Sequence, residues 1–129
     1  MTDDLQNLHP TLRALCETWL KACNEEFSLE NCHVAVNHPV WRDPATQAAL
    51  FAAGKSNAPA GKSKHEAMRD GKPASRAFDF SCFRSGVYIT DGTDPLYARA
   101  GEIGKRLGLH WGGDWHTPDW DHLELPDNT

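Results

Sequence analysis

No apolar run in this chain approaches the roughly twenty residues that a membrane-spanning helix needs. Positive charge is scarce: 13 Lys and Arg stand against 18 Asp and Glu, for a formal net charge of −5. That balance argues against broad electrostatic binding to nucleic acid or to an anionic membrane, so neither is expected as a partner. The four cysteines contain no C-x-x-C pair, which argues against a thiolate zinc knuckle. Cys16, Cys23, Cys32 and Cys82 read instead as small buried hydrophobes, with Cys16 and Cys23 seven apart on one helix face. The opening Met1-Thr2-Asp3-Asp4 is acidic and lacks the order of a secretory signal. There is no H-E-x-x-H segment, and no linker, repeat or low-complexity tail long enough to mark a second domain.

What is present suits one compact domain over residues 1–129, with 40% hydrophobic and 24% charged residues. Residues 10–27 carry Leu12, Leu15, Trp19, Leu20, Cys23 and Phe27 at helical spacing, with Pro10 in the first turn. A strand follows at 33–37, then a short helix at 44–53. Residues 54–75 are rich in Gly, Lys, Ser, Pro and Ala and read as a long loop. Residues 77–83 and 87–89 read as strands, 95–107 as a helix ended by Gly108. The sum is an α+β domain: a small antiparallel sheet packed with an N-terminal and crossover helices.

The last fifth of the chain is its most informative stretch. A Gly-rich aromatic turn, Gly108 to Trp115, leads to Asp119-x-x-His122 and the alternating run His122-Leu123-Glu124-Leu125. Alternation puts His122 and Glu124 on one strand face and Leu123 and Leu125 on the other. Upstream, Asp79 lies between Phe78 and Phe80; if those rings face one side, the acid faces the other and needs a partner. Should His65, Asp79 and His122 converge, two imidazoles and a carboxylate would form a zinc (Zn2+) site with a fourth position open to water. Asp119 could then serve as acid/base, and Arg42, at a strand-to-helix junction, as a contact for developing negative charge. On position alone Arg42 reads rather as the surface salt-bridge partner of Asp43 or Glu30.

Three segments, in order, resemble the zinc peptidases of the VanY-type D-Ala-D-Ala carboxypeptidase and L-alanyl-D-glutamate peptidase family, especially short phage endolysins. They are Trp41-Arg42-Asp43-Pro44-Ala45-Thr46-Gln47 through Phe51; Ser63-Lys64-His65 with Ser75-Arg76-Ala77-Phe78-Asp79; and Gly108 to Trp115 with Asp119-Trp120-Asp121-His122-Leu123-Glu124. These are similar to R-S-x-x-x-Q-x-x-L, to S-x-H-x-x-G-x-A-x-D, and to G-L-x-W-G-G-D-W with D-x-x-H-F-E.

The resemblance implies zinc on His65, Asp79 and His122, Asp119 as the catalytic acid/base, and Arg42 as the substrate-carbonyl or oxyanion contact. Gln47 and Ser63 are implied at the substrate site, with Trp111 and Trp115 divided between substrate contact and core packing. Asp114 is divided between capping or orienting a metal ligand and a plain turn role. Thirteen residues, Glu66 to Phe78, separate His65 from Asp79 where the family pattern has six, so His116, Glu66 and Asp70 stand as alternative ligands. The implied substrate is the peptidoglycan stem peptide, cut at L-Ala–D-Glu. The alternatives are a D-Ala-D-Ala carboxypeptidase and a zinc-bearing binding module without turnover. Residues 66–75 raise the question of a lid. With no signal peptide, the expectation is a monomer held in the host bacterial cytoplasm until its release to the wall.

Overall fold

Pro10 has no N–H to lose, so it starts a helix without leaving a donor unmatched. The His9 ring caps it by accepting the Thr11 N–H, and α1 runs Pro10–Phe27 as the periodicity predicts. The computed structural model describes residues 4–56 and 58–129. After α1 come β1 (Cys32–Val36) and α2 (Pro44–Ala52), the latter capped by the Asp43 carboxylate on the Thr46 N–H. Then follow β2 (Met68–Arg69), β3 (Lys72–Pro73), β4 (Ala77–Arg84) and β5 (Val87–Tyr88). The chain ends with α3 (Pro95–Arg106), β6 (His110–Trp111) and β7 (His122–Glu124).

The main sheet is antiparallel in the order β1-β4-β7-β6, with β5 also paired to β4. β4 is its longest strand and its centre. Phe78, Phe80 and Cys82 are fully buried against the helices, whereas Asp79, Ser81 and Phe83 belong to the opposite, partly open face. Trp19 joins the two layers: its ring meets Phe78 and Phe80 at 5.2 and 4.9 Å, and its Nε1–H donates to the Ala100 carbonyl of α3 at 2.9 Å. All four cysteines are free and buried, as their apolar surroundings predict. Glycine matters at Gly101 and Gly113. A Cβ on either would stand 2.4 or 2.2 Å from the Trp111 ring, which is gripped between them.

One expectation needs correction. Residues 54–75 are not a plain loop: they hold a 3-10 turn at Lys64–Glu66 and the β2–β3 hairpin. Asp70-Gly71 supplies two positive φ angles, 54° and 76°, which a tight two-residue hairpin turn requires. The hairpin is tied to the N-terminal segment, where Ser75 N–H donates to Asn7 and His9 N–H to Ser75. It shares a groove with Gln6, Leu8 and Pro10 and does not line the candidate site described below.

Trp19→Ala should destabilise the fold by about 3–5 kcal/mol, as other large-to-small core changes do. Trp19→Phe should cost visibly less: both variants lose the bond to Ala100, so the difference between them reports the packing of the ring against Phe78 and Phe80. Urea unfolding of both variants checks this; equal losses would mean that the bond to Ala100, and not packing, accounts for Trp19.

A candidate metal centre on β4 and β7

Asp79 and His122 are direct partners across the β4–β7 ladder. Residues so paired hold their Cβ atoms about 5 Å apart on one face. His65 comes to the same point from the 3-10 turn, whose Ser63 and Glu66 form a reciprocal cap: Ser63 Oγ accepts the His65 N–H, and Glu66 accepts the Ser63 N–H. The Arg42 N–H donates to the His65 carbonyl at 2.9 Å and fixes the turn against the segment before α2.

The three side chains converge. His65 Nε2 lies 3.5 Å and His122 Nδ1 3.2 Å from Asp79 Oδ1, and the ligand atoms of the set all fall within 4.8 Å of one another. The far nitrogens of both rings are occupied. His65 Nδ1 faces the Val40 carbonyl at 3.4 Å, and His122 Nε2 faces Glu124 Oε1 at 2.8 Å. With protons on those far nitrogens, both inner nitrogens turn their lone pairs to a common point. A carbonyl or carboxylate behind the ring is the usual device for holding a metal-binding histidine in one tautomer. The donor set therefore suits zinc.

Electrostatics follow from this packing. Burial pushes the Asp79 carboxyl upward, yet hydrogen bonds and charge from His122 and His65 overcome it and hold the acid well below its usual range. Burial lowers His122, but Asp79 and Glu124 more than offset this and raise it to about 9. Glu124 is pushed up by burial and pulled lower overall by His122 and Lys64, whose Nζ lies 2.6 Å from its carboxylate. Asp121 is raised to about 8, chiefly by burial and then by the charge of Asp79.

The other residues named for the site from the sequence fall in two groups. Arg42, Ser63, Trp115 and Asp119 line a cavity of about 300 Å³ together with His65, Asp79 and His122. Asp119 Oδ2 is 3.7 Å from His122 Nδ1 and the side chain is half exposed. Arg42 pairs with neither Asp43 nor Glu30. Its Nη2 donates to Asp79 at 2.8 Å and its Nη1 to Gln47 at 3.2 Å, while Glu30 is taken by Arg99.

Gln47 and Trp111 stand behind the cavity wall. Gln47 is fully buried, and its amide is committed to Arg42, Ser56 and Ala58, so it positions the site and offers no group to a substrate. Trp111 is buried, with its Nε1–H on the Trp120 carbonyl, which settles it as core. The alternative ligands are elsewhere: Glu66 caps its turn and Asp70 sits in the hairpin, while His116 is exposed and outside the cluster. Asp114 pairs with Lys105 at 2.8 Å, a surface role.

Three contributors escaped the sequence reading of the site. Lys64 and Glu124 form the support behind His122, and the H-x-E alternation had put Glu124 on the right face without giving it that task. Asp121 lies in the turn before β7, where strand alternation does not apply, and it clusters with Asp79 and Asp119.

No family model and no curated protein sequence matches the chain. A solved structure does: the Serratia marcescens L-Ala D-Glu endopeptidase ChiX, with a TM-score of 0.66 and 21% identity, over 97% of this chain and 85% of that one. At that identity the likeness establishes a shared fold.

Two predictions come from this geometry. Glu124→Gln should weaken zinc binding about 10- to 100-fold while leaving the fold intact, measured by competition with a chromogenic chelator. The second concerns the metal-free protein. His122 and Asp121 both have folded pKa values above their unfolded ones, so each contributes stability at low pH that is lost as pH rises. The windows are 6.5 to about 9 for His122 and 3.8 to about 8 for Asp121. Asp79, depressed, acts oppositely and loses its contribution below 3.8. Urea midpoints in chelator should therefore fall from pH 6.5 to 8 and recover on adding zinc, which binds the deprotonated imidazole. A flat profile would contradict the charge arrangement.

Proposed function

We propose that this chain is a zinc-dependent peptidoglycan peptidase that hydrolyses the L-Ala–D-Glu bond of the stem peptide. The observation that carries the reading is the convergence of His65, Asp79 and His122, each imidazole held from behind, at the floor of an open cavity beside Asp119. The fold shared with an L-Ala D-Glu endopeptidase supports the choice of substrate.

Zinc on these three residues would supply a Lewis acid and a coordinated water with a pKa near 7. The protein's own groups do the rest. Asp119 faces the ligands with one side open to the cavity, placed to take a proton from the attacking water and return it to the leaving amine. Arg42 lines the same cavity. Two of its N–H groups are used by Asp79 and Gln47, and those remaining can stabilise charge developing on the scissile carbonyl oxygen. Ser63 Oγ accepts the His65 N–H and keeps its own hydroxyl proton for the substrate. Trp115, at 39% exposure, lines the cavity with its ring 5.0 Å from that of His122, a surface for the peptide to lie on. The setting that goes with this reading is a monomeric lysis enzyme of the phage type, released from the host cytoplasm to the wall.

Elemental analysis should find one zinc per chain, lost in His65→Ala, Asp79→Ala and His122→Ala. Asp119→Asn should retain the metal and lose about 10²- to 10⁴-fold in the rate of stem-peptide cleavage, followed by mass spectrometry of digested peptidoglycan. Release of terminal D-Ala instead would make the protein a carboxypeptidase. Metal with no cleavage at all would make it a binding module.

A further inference from the structure

Four cationic side chains line the cavity, and two of them are already spent. Arg42 is bonded to Asp79 and Gln47; Lys64 is held by Glu124, Asp127 and the Leu125 carbonyl. Lys55 and Lys62 are different. Both line the cavity, both are exposed, and among the described residues neither ammonium has an ion-pair or hydrogen-bond partner.

The loop that carries them is held in place. On one side Gln47, fully buried, donates to Ser56 Oγ at 2.8 Å and to the Ala58 carbonyl at 2.6 Å, while its own oxygen accepts from Arg42. On the other side the Glu66 carboxylate accepts the Gly61 and Ser63 N–H groups that flank Lys62. The loop is thus tied to the same Arg42 that touches Asp79, and its two lysines line the cavity that holds the candidate metal ligands. The same cavity carries the half-exposed Asp119 carboxylate. An anionic group entering the cavity is repelled by that acid and drawn to the lysines, which favours one orientation of a charged substrate.

We infer that Lys55 and Lys62 form a carboxylate-binding subsite that reads the free α-carboxylate of the D-glutamyl residue next to the scissile amide. This rests on the peptidase reading above. In a γ-linked D-Glu that carboxylate is not part of the chain and projects beside the bond to be cut, so a cation on one wall orients the amide over His65, Asp79 and His122.

The test compares an L-Ala-γ-D-glutamyl tripeptide with the same peptide amidated at the α-carboxylate. Steady-state cleavage by the zinc-loaded wild type should show a KM about tenfold lower for the free acid, with kcat little changed. The preference should vanish in Lys55→Ala/Lys62→Ala and return in Lys55→Arg/Lys62→Arg. Calorimetric affinities of the two peptides, measured in an Asp119→Asn background, give the same comparison without turnover. Equal KM values and equal affinities for acid and amide would overturn the subsite while leaving the peptidase reading standing. No cleavage of either peptide, with a tenfold binding preference for the acid that needs the lysines, would overturn the peptidase and keep the subsite. Failure to bind or cleave either peptide would overturn both.

Discussion

Asp79 lies opposite His122 because β4 and β7 pair in one antiparallel register, in which Phe78 faces Leu123 and Ala77 faces Glu124. The side-chain period of a strand is two, so a slip of one residue would turn Asp79 into the core and set Phe78 beside the histidine. The apolar side of the ladder forbids it. Phe78 and Leu123 are fully buried, and a Cβ on Gly104 of α3 would stand only 2.6 Å from Leu123. Hydrophobic packing on one face of the sheet thereby fixes the spacing of polar ligands on the other.

Once that register is set, the charges form an alternating chain. Arg42, Asp79, His122, Glu124, Lys64 and Asp127 follow one another through contacts of 2.6–3.2 Å, with His65 joining at Asp79. Buried charges are costly unless each has a partner, and here each one does. The arrangement lets three inward-facing candidate ligands share one place without an uncompensated carboxylate. Asp79 is neutralised by Arg42 and the imidazoles. Arg42 thus serves two ends: it neutralises Asp79 and lines the cavity beside it.

The local features of the fold were legible in the sequence. The stripe from Leu12 to Phe27, Pro10 at the helix start, the Phe78/Asp79/Phe80 alternation and the His122–Leu125 alternation each depend on neighbours within a few residues, and all reappear in the structure. The convergence of His65 with Asp79 across thirteen intervening residues was not a matter of spacing. It came from resemblance, and the structure supplies its physical cause: the insertion folds on itself as a hairpin and returns the chain to the same place. Asp70-Gly71 announced that hairpin but was passed over inside a composition that read as loop. The roles of Gln47 and Trp111 could not be read locally, because burial depends on what the rest of the chain places above them. Lys64 and Asp121 were hidden for a related reason, since each acts on a residue distant in sequence or sits where strand periodicity has ended.

The β2–β3 hairpin joins the rest of the molecule through its base, where Ser75 exchanges backbone bonds with Asn7 and His9, and its Asp70-Gly71 tip is exposed. Mechanically, this decouples tip from base. Changes in length at residues 70–71 load the hydrogen bonds at Asn7 and His9 before they reach His65 or Asp79. The tip is therefore a natural port for grafting, where a peptide or an affinity handle could be displayed without altering the distance between His65 and Asp79, which the hairpin connects.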